Sequence, residues 1–286
     1  MSSQSLAWSV GVFASIDAGL GVKLDVVKEL GIKTIQLHTP HRDCRTKQHA
    51  ESFAKTLRES GITITTVFLG FEGESYASIK ITAETVGLVP KATRAARLAE
   101  SKEIADFAHL LGVTAIGSHI GFVPHDTASQ DYKDMVACIQ ELCDYLAKNG
   151  QALHLETGQE DADSLLTFIG NVKRNNLFIN FDPANLILYG MGDPIGSLKK
   201  VGHLVRGVHC KDALATEGKP GVDWGKEVPF GTGQVNAKLF LQTLKEIGFH
   251  GPLTIEREIP EEPKRQKEEI GQALRLIDTI KKEIGV

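Results

Sequence analysis

Residues 93–119, TRAARLAESKEIADFAHLLGVTAIGSH, hold in one stretch the unit that decides the fold. An amphipathic helical run over Thr93–Leu111 stops at Gly112, and a β-rich run over Thr114–His119 follows at once. At Leu111-Gly112-Val113 the glycine supplies the left-handed residue that closes a helix, and the β-branched residue after it turns the chain into a strand. The same signal stands at Leu30-Gly31-Ile32 and at Ser60-Gly61-Ile62.

Outward from this unit the alternation runs the length of the chain. Strands are expected at Trp8–Ala14, Thr34–His38, Ile62–Leu69, Thr114–His119, Ala152–Glu156, Leu177–Asp182, Val205–His209 and Leu253–Glu256. Helices are expected near Val22–Leu30, His49–Ser60, Thr93–Leu111, Asp131–Asn149, Ser164–Asn171, Pro194–Lys200, Ala237–Ile247 and Pro263–Ile284. Strict alternation predicts a parallel sheet, and eight units in 286 residues match a single-domain (β/α)8 TIM barrel over residues 1–286. A doubly wound sheet would need G-x-G-x-x-G after the first strand; Gly19-Leu20-Gly21 begins it, but Leu24 breaks it. Two long connections, Gly70–Ala92 and Ala213–Asn236, follow strands three and seven and are expected to cover the C-terminal face, where barrel active sites lie.

Composition narrows the function. With 32 Lys plus Arg against 36 Asp plus Glu the net charge is −4, and the pI near 6.2 offers no basic footprint for nucleic acid or an anionic membrane. The run Leu6–Ile16 has no basic residue before it and Asp17 after it, unlike a signal peptide, and no apolar run reaches the length of a membrane span. Cys44, Cys138, Cys143 and Cys210 form no C-x-x-C pair and suit a reducing, cytoplasmic setting. Cys138 and Cys143 share a helix at a spacing that does not align them.

The chemistry lies where the strands end. In Leu153-His154-Leu155-Glu156 the leucines face the helices, so His154 and Glu156 point inward. The same parity sends Asp182, His209 and Glu256 inward at the ends of the next three strands. Their separations of 26, 27 and 47 residues are two β/α units and one unit enlarged by the long loop. Three carboxylates at one mouth repel each other, a buried carboxylate costs several kcal/mol without a partner, and no lysine or arginine shares their strand-end positions. One divalent metal resolves the conflict. Three hard oxygens and an imidazole favour Mn²⁺ or Mg²⁺, with Co²⁺ and Zn²⁺ open.

The chain resembles the xylose isomerase-like TIM-barrel superfamily, in its sugar isomerase/epimerase branch. The resemblance rests on His154-Leu155-Glu156-Thr157-Gly158, Asn180-Phe181-Asp182-Pro183-Ala184-Asn185, Gly207-Val208-His209-Cys210-Lys211-Asp212, Pro229–Asn236, Gly248–Glu256 and the Ser118–Gly121 region. It implies that Glu156, Asp182, His209 and Glu256 bind one metal ion and that the substrate is a small carbohydrate or its phosphate. It further implies that Glu156 and Glu256 pass a proton alpha to a carbonyl through a metal-held cis-enediolate. A dehydratase of the inosose type and a hydroxypyruvate isomerase would use the same site, and a barrel that binds metal or sugar without catalysis is the alternative of another class. Asn185 departs from the histidine common in the epimerases and in endonuclease IV-like relatives, and Val222-Asp223-Trp224-Gly225 lacks the D-x-H of the nucleases. Both departures weigh against a multi-zinc nuclease.

His119 and His38, at inward strand ends, are candidate substrate contacts, together with Asn185, Lys211, Asp212 and Arg257, although alternation leans Arg257 away from the axis. His154, one layer deeper, is expected in the core. Trp8, Phe13, Phe71 and Trp224 can wall a pocket or simply pack. Gly231-Thr232-Gly233 lacks the lysine of a phosphate loop and is expected to be a tight turn. Glu261–Glu269 is expected to be the solvated start of the last helix, and pairing of copies into a homo-oligomer is left open by the absence of an apolar seam.

Overall fold

The computed structural model describes residues 7–15, 22–259 and 262–286. Eight strands, β1 (Val10–Ser15), β2 (Thr34–His38), β3 (Thr63–Phe68), β4 (Ala115–Ser118), β5 (Ala152–Glu156), β6 (Leu177–Phe181), β7 (Val205–Cys210) and β8 (Leu253–Ile255), pair in chain order, all parallel. The sheet closes where Val10 and Val12 of β1 stand opposite Leu253 and Ile255 of β8. The result is a (β/α)8 barrel. Gly19-Leu20-Gly21, Leu6, Ile16, Asp17 and Glu261 lie outside the described residues.

The apolar core joins strand residues such as Leu153, Leu155, Ile179 and Val208 to helix residues Leu142, Phe168, Leu198 and Phe240, so it occupies the layer between barrel and helices. The barrel's own interior is polar instead: Thr34, Gln36, Thr66, His154, Asn180 and Thr254 are all buried. Gly207 on β7 makes room there, because a Cβ would stand 2.4 Å from Asn180 Oδ1. Helix ends follow local chemistry. Thr46, Ser129 and Asp161 accept from the first-turn amides of the helices Lys47–Ser60, Gln130–Lys148 and Ala162–Val172.

Several boundaries differ from the sequence expectation. Trp8 precedes β1 in a left-handed conformation (φ 56°), and its indole donates to the Phe249 carbonyl, so it packs at the end of β1 away from the mouth. Val22–Lys23 form a short strand beside β1, and the first helix spans only Leu24–Glu29. The Gly70–Ala92 connection contains the helix Ile79–Thr85, and Ala213–Asn236 carries all but the first residue of a hairpin that pairs Asp212–Leu214 with Lys226–Val228. Among the described residues, no helix is long and apolar enough to cross a membrane.

Candidate active site

At the C-terminal ends of β5–β8, ligand atoms of Glu156, Asp182, His209 and Glu256 all lie within 4.8 Å of one another. His209 Nδ1 is the hub: it stands 2.9 Å from Glu156 Oε1, 2.9 Å from Glu256 Oε2 and 3.5 Å from Asp182 Oδ2. Asp182 is not the last residue of its strand. β6 ends at Phe181, and Asp182 caps the helix Pro183–Leu188, its Oδ1 accepting from the Ala184 and Asn185 amides at 2.8 and 3.0 Å. That cap fixes the carboxylate and leaves Oδ2 for the cluster.

The other side of His209 is equally constrained. Gln36 Nε2 donates to Asn180 Oδ1 (2.9 Å), which turns Gln36 Oε1 to accept from His209 Nε2 (2.7 Å). With its proton on Nε2, the neutral ring presents the Nδ1 lone pair to the three carboxylates, the orientation a metal ligand needs. Asp182 Oδ2, His209 Nδ1 and Glu256 Oε2 are buried without a hydrogen-bond partner. Three orphaned buried atoms converging from hard donors fit a divalent cation.

Electrostatics agree. Burial opposes a charged His209, but the Glu256, Asp182 and Glu156 carboxylates outweigh it and raise the ring well above the ordinary imidazole range. A cation would therefore displace a proton from the middle of the cluster. Burial pushes Glu156 up to about 7, whereas the charges of His209 and Lys211 overcome burial at Glu256 and hold it below the usual carboxylate range.

The expectation that no lysine shares this position is corrected here. Lys211 is buried, with Nζ 3.3 Å from Glu256, 2.8 Å from Glu258, 3.9 Å from Asp182 and 4.0 Å from Glu227. It stands two residues after His209, so strand parity was the signal that could have found it.

Above the cluster opens a cavity of about 240 Å³ lined by Glu156, Glu256, His38, His119, Asn185 and Lys211 among others. Asp212 and Arg257 do not line it. Asp212 accepts from the amides of Ala213, Gly231, Gly233 and Val235, so the glycine-rich turn cradles the chain's own carboxylate. Arg257 bonds Glu227 at 2.7 Å and Glu269 at 2.6 Å. Phe13 and Trp224 wall the cavity, and Phe71 lines a neighbouring one. His154 lies deeper against the Phe178 ring, lowered to about 4 by burial. Cys210 is buried, and burial raises its thiol far above the ordinary range.

Sequence reasoning missed Glu74, Tyr76, Tyr189, Glu227 and Glu258, which also line the cavity. Tyr189 is the most informative. The Gly121 amide donates to His119 Nδ1 (3.2 Å), and His119 Nε2 meets the Tyr189 hydroxyl (3.1 Å). Burial lowers His119 to about 3, so its single proton sits on Nε2 and is given to Tyr189. The phenol's own proton is then left for another acceptor, and Tyr189 itself lines the cavity.

The architecture and this site define a class, and the chain belongs to the xylose isomerase-like TIM barrel family, whose model matches residues 24–280. No curated protein matches the chain. A xylose isomerase domain protein from Planctomyces limnophilus is 54% identical, covering 98% of this chain and 99% of that one with a TM-score of 0.95. A xylose isomerase-like TIM barrel protein from Mycobacterium smegmatis, in complex with magnesium, is 18% identical over 94% of this chain and 97% of that one (TM-score 0.68). A D-psicose 3-epimerase, in the presence of D-fructose, is 17% identical over 97% and 100% (TM-score 0.69). These last two share the fold.

Proposed function

We propose that the protein is a divalent-metal-dependent isomerase or epimerase of a small sugar. The observation that carries this is the convergence of Glu156, Asp182, His209 and Glu256 on one buried point, where three donor atoms face one another without a hydrogen bond. Mn²⁺ suits this donor set, and Mg²⁺, Co²⁺ and Zn²⁺ are the alternatives. When bound, such a cation polarises a carbonyl as a Lewis acid and fixes the substrate in register.

The chain's own groups divide the proton work. Glu256, held in its charged form by Lys211 at 3.3 Å, takes the proton alpha to the carbonyl. Glu156, on the other side of His209 and pushed up to about 7 by burial, returns one. Phe13, Phe68 and Trp224 limit water around them. A dehydratase is the second reading, favoured by Tyr189: burial keeps its phenol neutral, and an O–H donor on the cavity wall can protonate a departing hydroxyl.

The test is incorporation of solvent deuterium alpha to the carbonyl across a panel of ketoses, after metal analysis of the purified protein. Glu256→Gln should slow exchange about 10²–10⁴-fold. Wild-type exchange rates in that variant would sink the mechanism, and a product lighter by one water would identify the dehydratase. Ligand-dependent melting with no exchange at all would mark a binding barrel.

A further inference from the structure

The metal-facing cavity does not end at its rim. A second chamber of about 690 Å³ adjoins it, and His38, Glu74 and Tyr76 line both. Small-molecule sites commonly span about 300–1,000 Å³, so the inner chamber of about 240 Å³ suits a single small ring and the outer one has room for another. The outer chamber is built mainly from the loop after β2 and the start of the loop after β3, with Phe71 and Tyr76 as aromatic surfaces. Glu74 anchors this wall: its carboxylate accepts from the Phe71 amide at 3.0 Å and the Gly87 amide at 2.7 Å.

Charge separates the ligands these chambers can take. Among the described residues the inner lining holds Glu74, Glu156, Glu227, Glu256 and Glu258 against one cation, Lys211, already shared among its carboxylate neighbours. A divalent ion and Lys211 together do not exceed that negative charge. In the outer chamber Arg45 is bound to Glu100 (2.6 Å) and to the Pro40 carbonyl (2.7 Å), while Arg42 faces Glu100 and Glu103. Asp43, Glu72, Glu74 and Glu100 outnumber these two arginines. Among the described residues, neither chamber offers a lysine or arginine free of a carboxylate partner, which a phosphate or carboxylate substrate would require.

We propose that the substrate is an uncharged two-ring sugar, its keto-bearing unit in the inner chamber and a second neutral glycosyl unit in the outer one, rather than a sugar phosphate or a keto acid. This rests on the isomerase proposal above and names the substrate class of the same site.

D-fructose, D-fructose 6-phosphate and isomaltulose form a matched probe set: one ketose carrying hydrogen, phosphate or a glucosyl group on the same oxygen. Calorimetric titration of the Mn²⁺-loaded full chain should give isomaltulose tightest, about tenfold over D-fructose, with the phosphate weakest. His41→Trp, at an exposed position on the outer chamber, should bring isomaltulose down towards D-fructose. The proposal is overturned if the phosphate binds as well as D-fructose, if the disaccharide gains nothing, if His41→Trp leaves its advantage intact, or if none of the three binds. The predicted order without solvent exchange by any of them would break the isomerase proposal and leave the substrate class standing.

Discussion

Strands β5–β8 bring Glu156, Asp182, His209 and Glu256 to the barrel mouth, whereas β1–β4 bring Phe13, His38, Phe68 and His119 to the same rim. The two halves meet at His209, whose ring lies 5.3 Å from Phe68 and 5.8 Å from Phe13, centre to centre. One half concentrates charge and the other removes water from it. Aromatic walls lower the local dielectric, so the carboxylates repel one another more strongly without a cation and hold one more tightly with it. Neither half alone makes a site: charge without the wall would be a solvated acidic patch, and the wall without charge would be core.

The largest effect should follow from supplying or removing the cation. Mn²⁺ at 100 times its Kd should stabilise the fold by about 2.7 kcal/mol over the chelator-treated protein, a rise of roughly 5–10 °C in Tm. Unchanged melting with every candidate ion would break the link between the acidic half and a metal. Next is Gln36, which reaches from the aromatic half across the barrel to His209 and Asn180. Gln36→Leu removes the acceptor that keeps the proton on Nε2, and Mn²⁺ affinity should fall about 10–100-fold by calorimetry. Gln36→Glu keeps an acceptor and should recover most of it; equal losses in both variants would mean that packing, not the tautomer, is at stake.

The acidic half was legible in the sequence because strand alternation and the β/α repeat are both short-range patterns, and they put four donors on one parity, the first three at unit spacing. The same parity accounts for Arg257, one residue past Glu256, which pairs with Glu227 and Glu269 instead of facing the cavity. Lys211 and Glu258, two residues past His209 and Glu256, were within reach of the rule. Gln36 and Asn180 were not. They lie 144 positions apart, and only closure of the barrel makes them neighbours. Tyr189 and Glu227 come from a helix end and a loop hairpin, whose placement no periodicity encodes.

Glu160 crosses the seam between the halves: from the loop after β5 it accepts the Val123 amide, in the loop after β4, at 2.7 Å. Burial pushes its carboxyl up to about 8 from an ordinary 4.5. Because the folded value is the higher one, its stabilising contribution is complete below about pH 4.5 and is lost as pH rises towards 8. Glu160→Gln keeps an acceptor and cannot ionise. In urea unfolding the wild type should therefore lose about 1.4 kcal/mol relative to this variant between pH 6 and pH 7, with the gap levelling off above pH 8. A gap independent of pH would show that the carboxyl is not closed off at the seam.

The smallest effect belongs to Tyr189, which follows β6 and meets the aromatic half through His119. Because His119 is neutral and already donates through Nε2, the phenol can give its own proton only to something else. Tyr189→Phe keeps the ring packing against Trp224 and Phe122 and removes the hydroxyl, both that donor and the acceptor of the His119 proton. One net hydrogen bond is about 1 kcal/mol, so KM should rise roughly fivefold. If kcat holds, the donor serves the bound sugar equally in ground and transition states; if kcat falls by the same factor and KM does not move, its partner is the oxygen that changes charge during reaction. No change in either constant would confine Tyr189 to packing, with neither its donor nor its tie to His119 reaching the substrate.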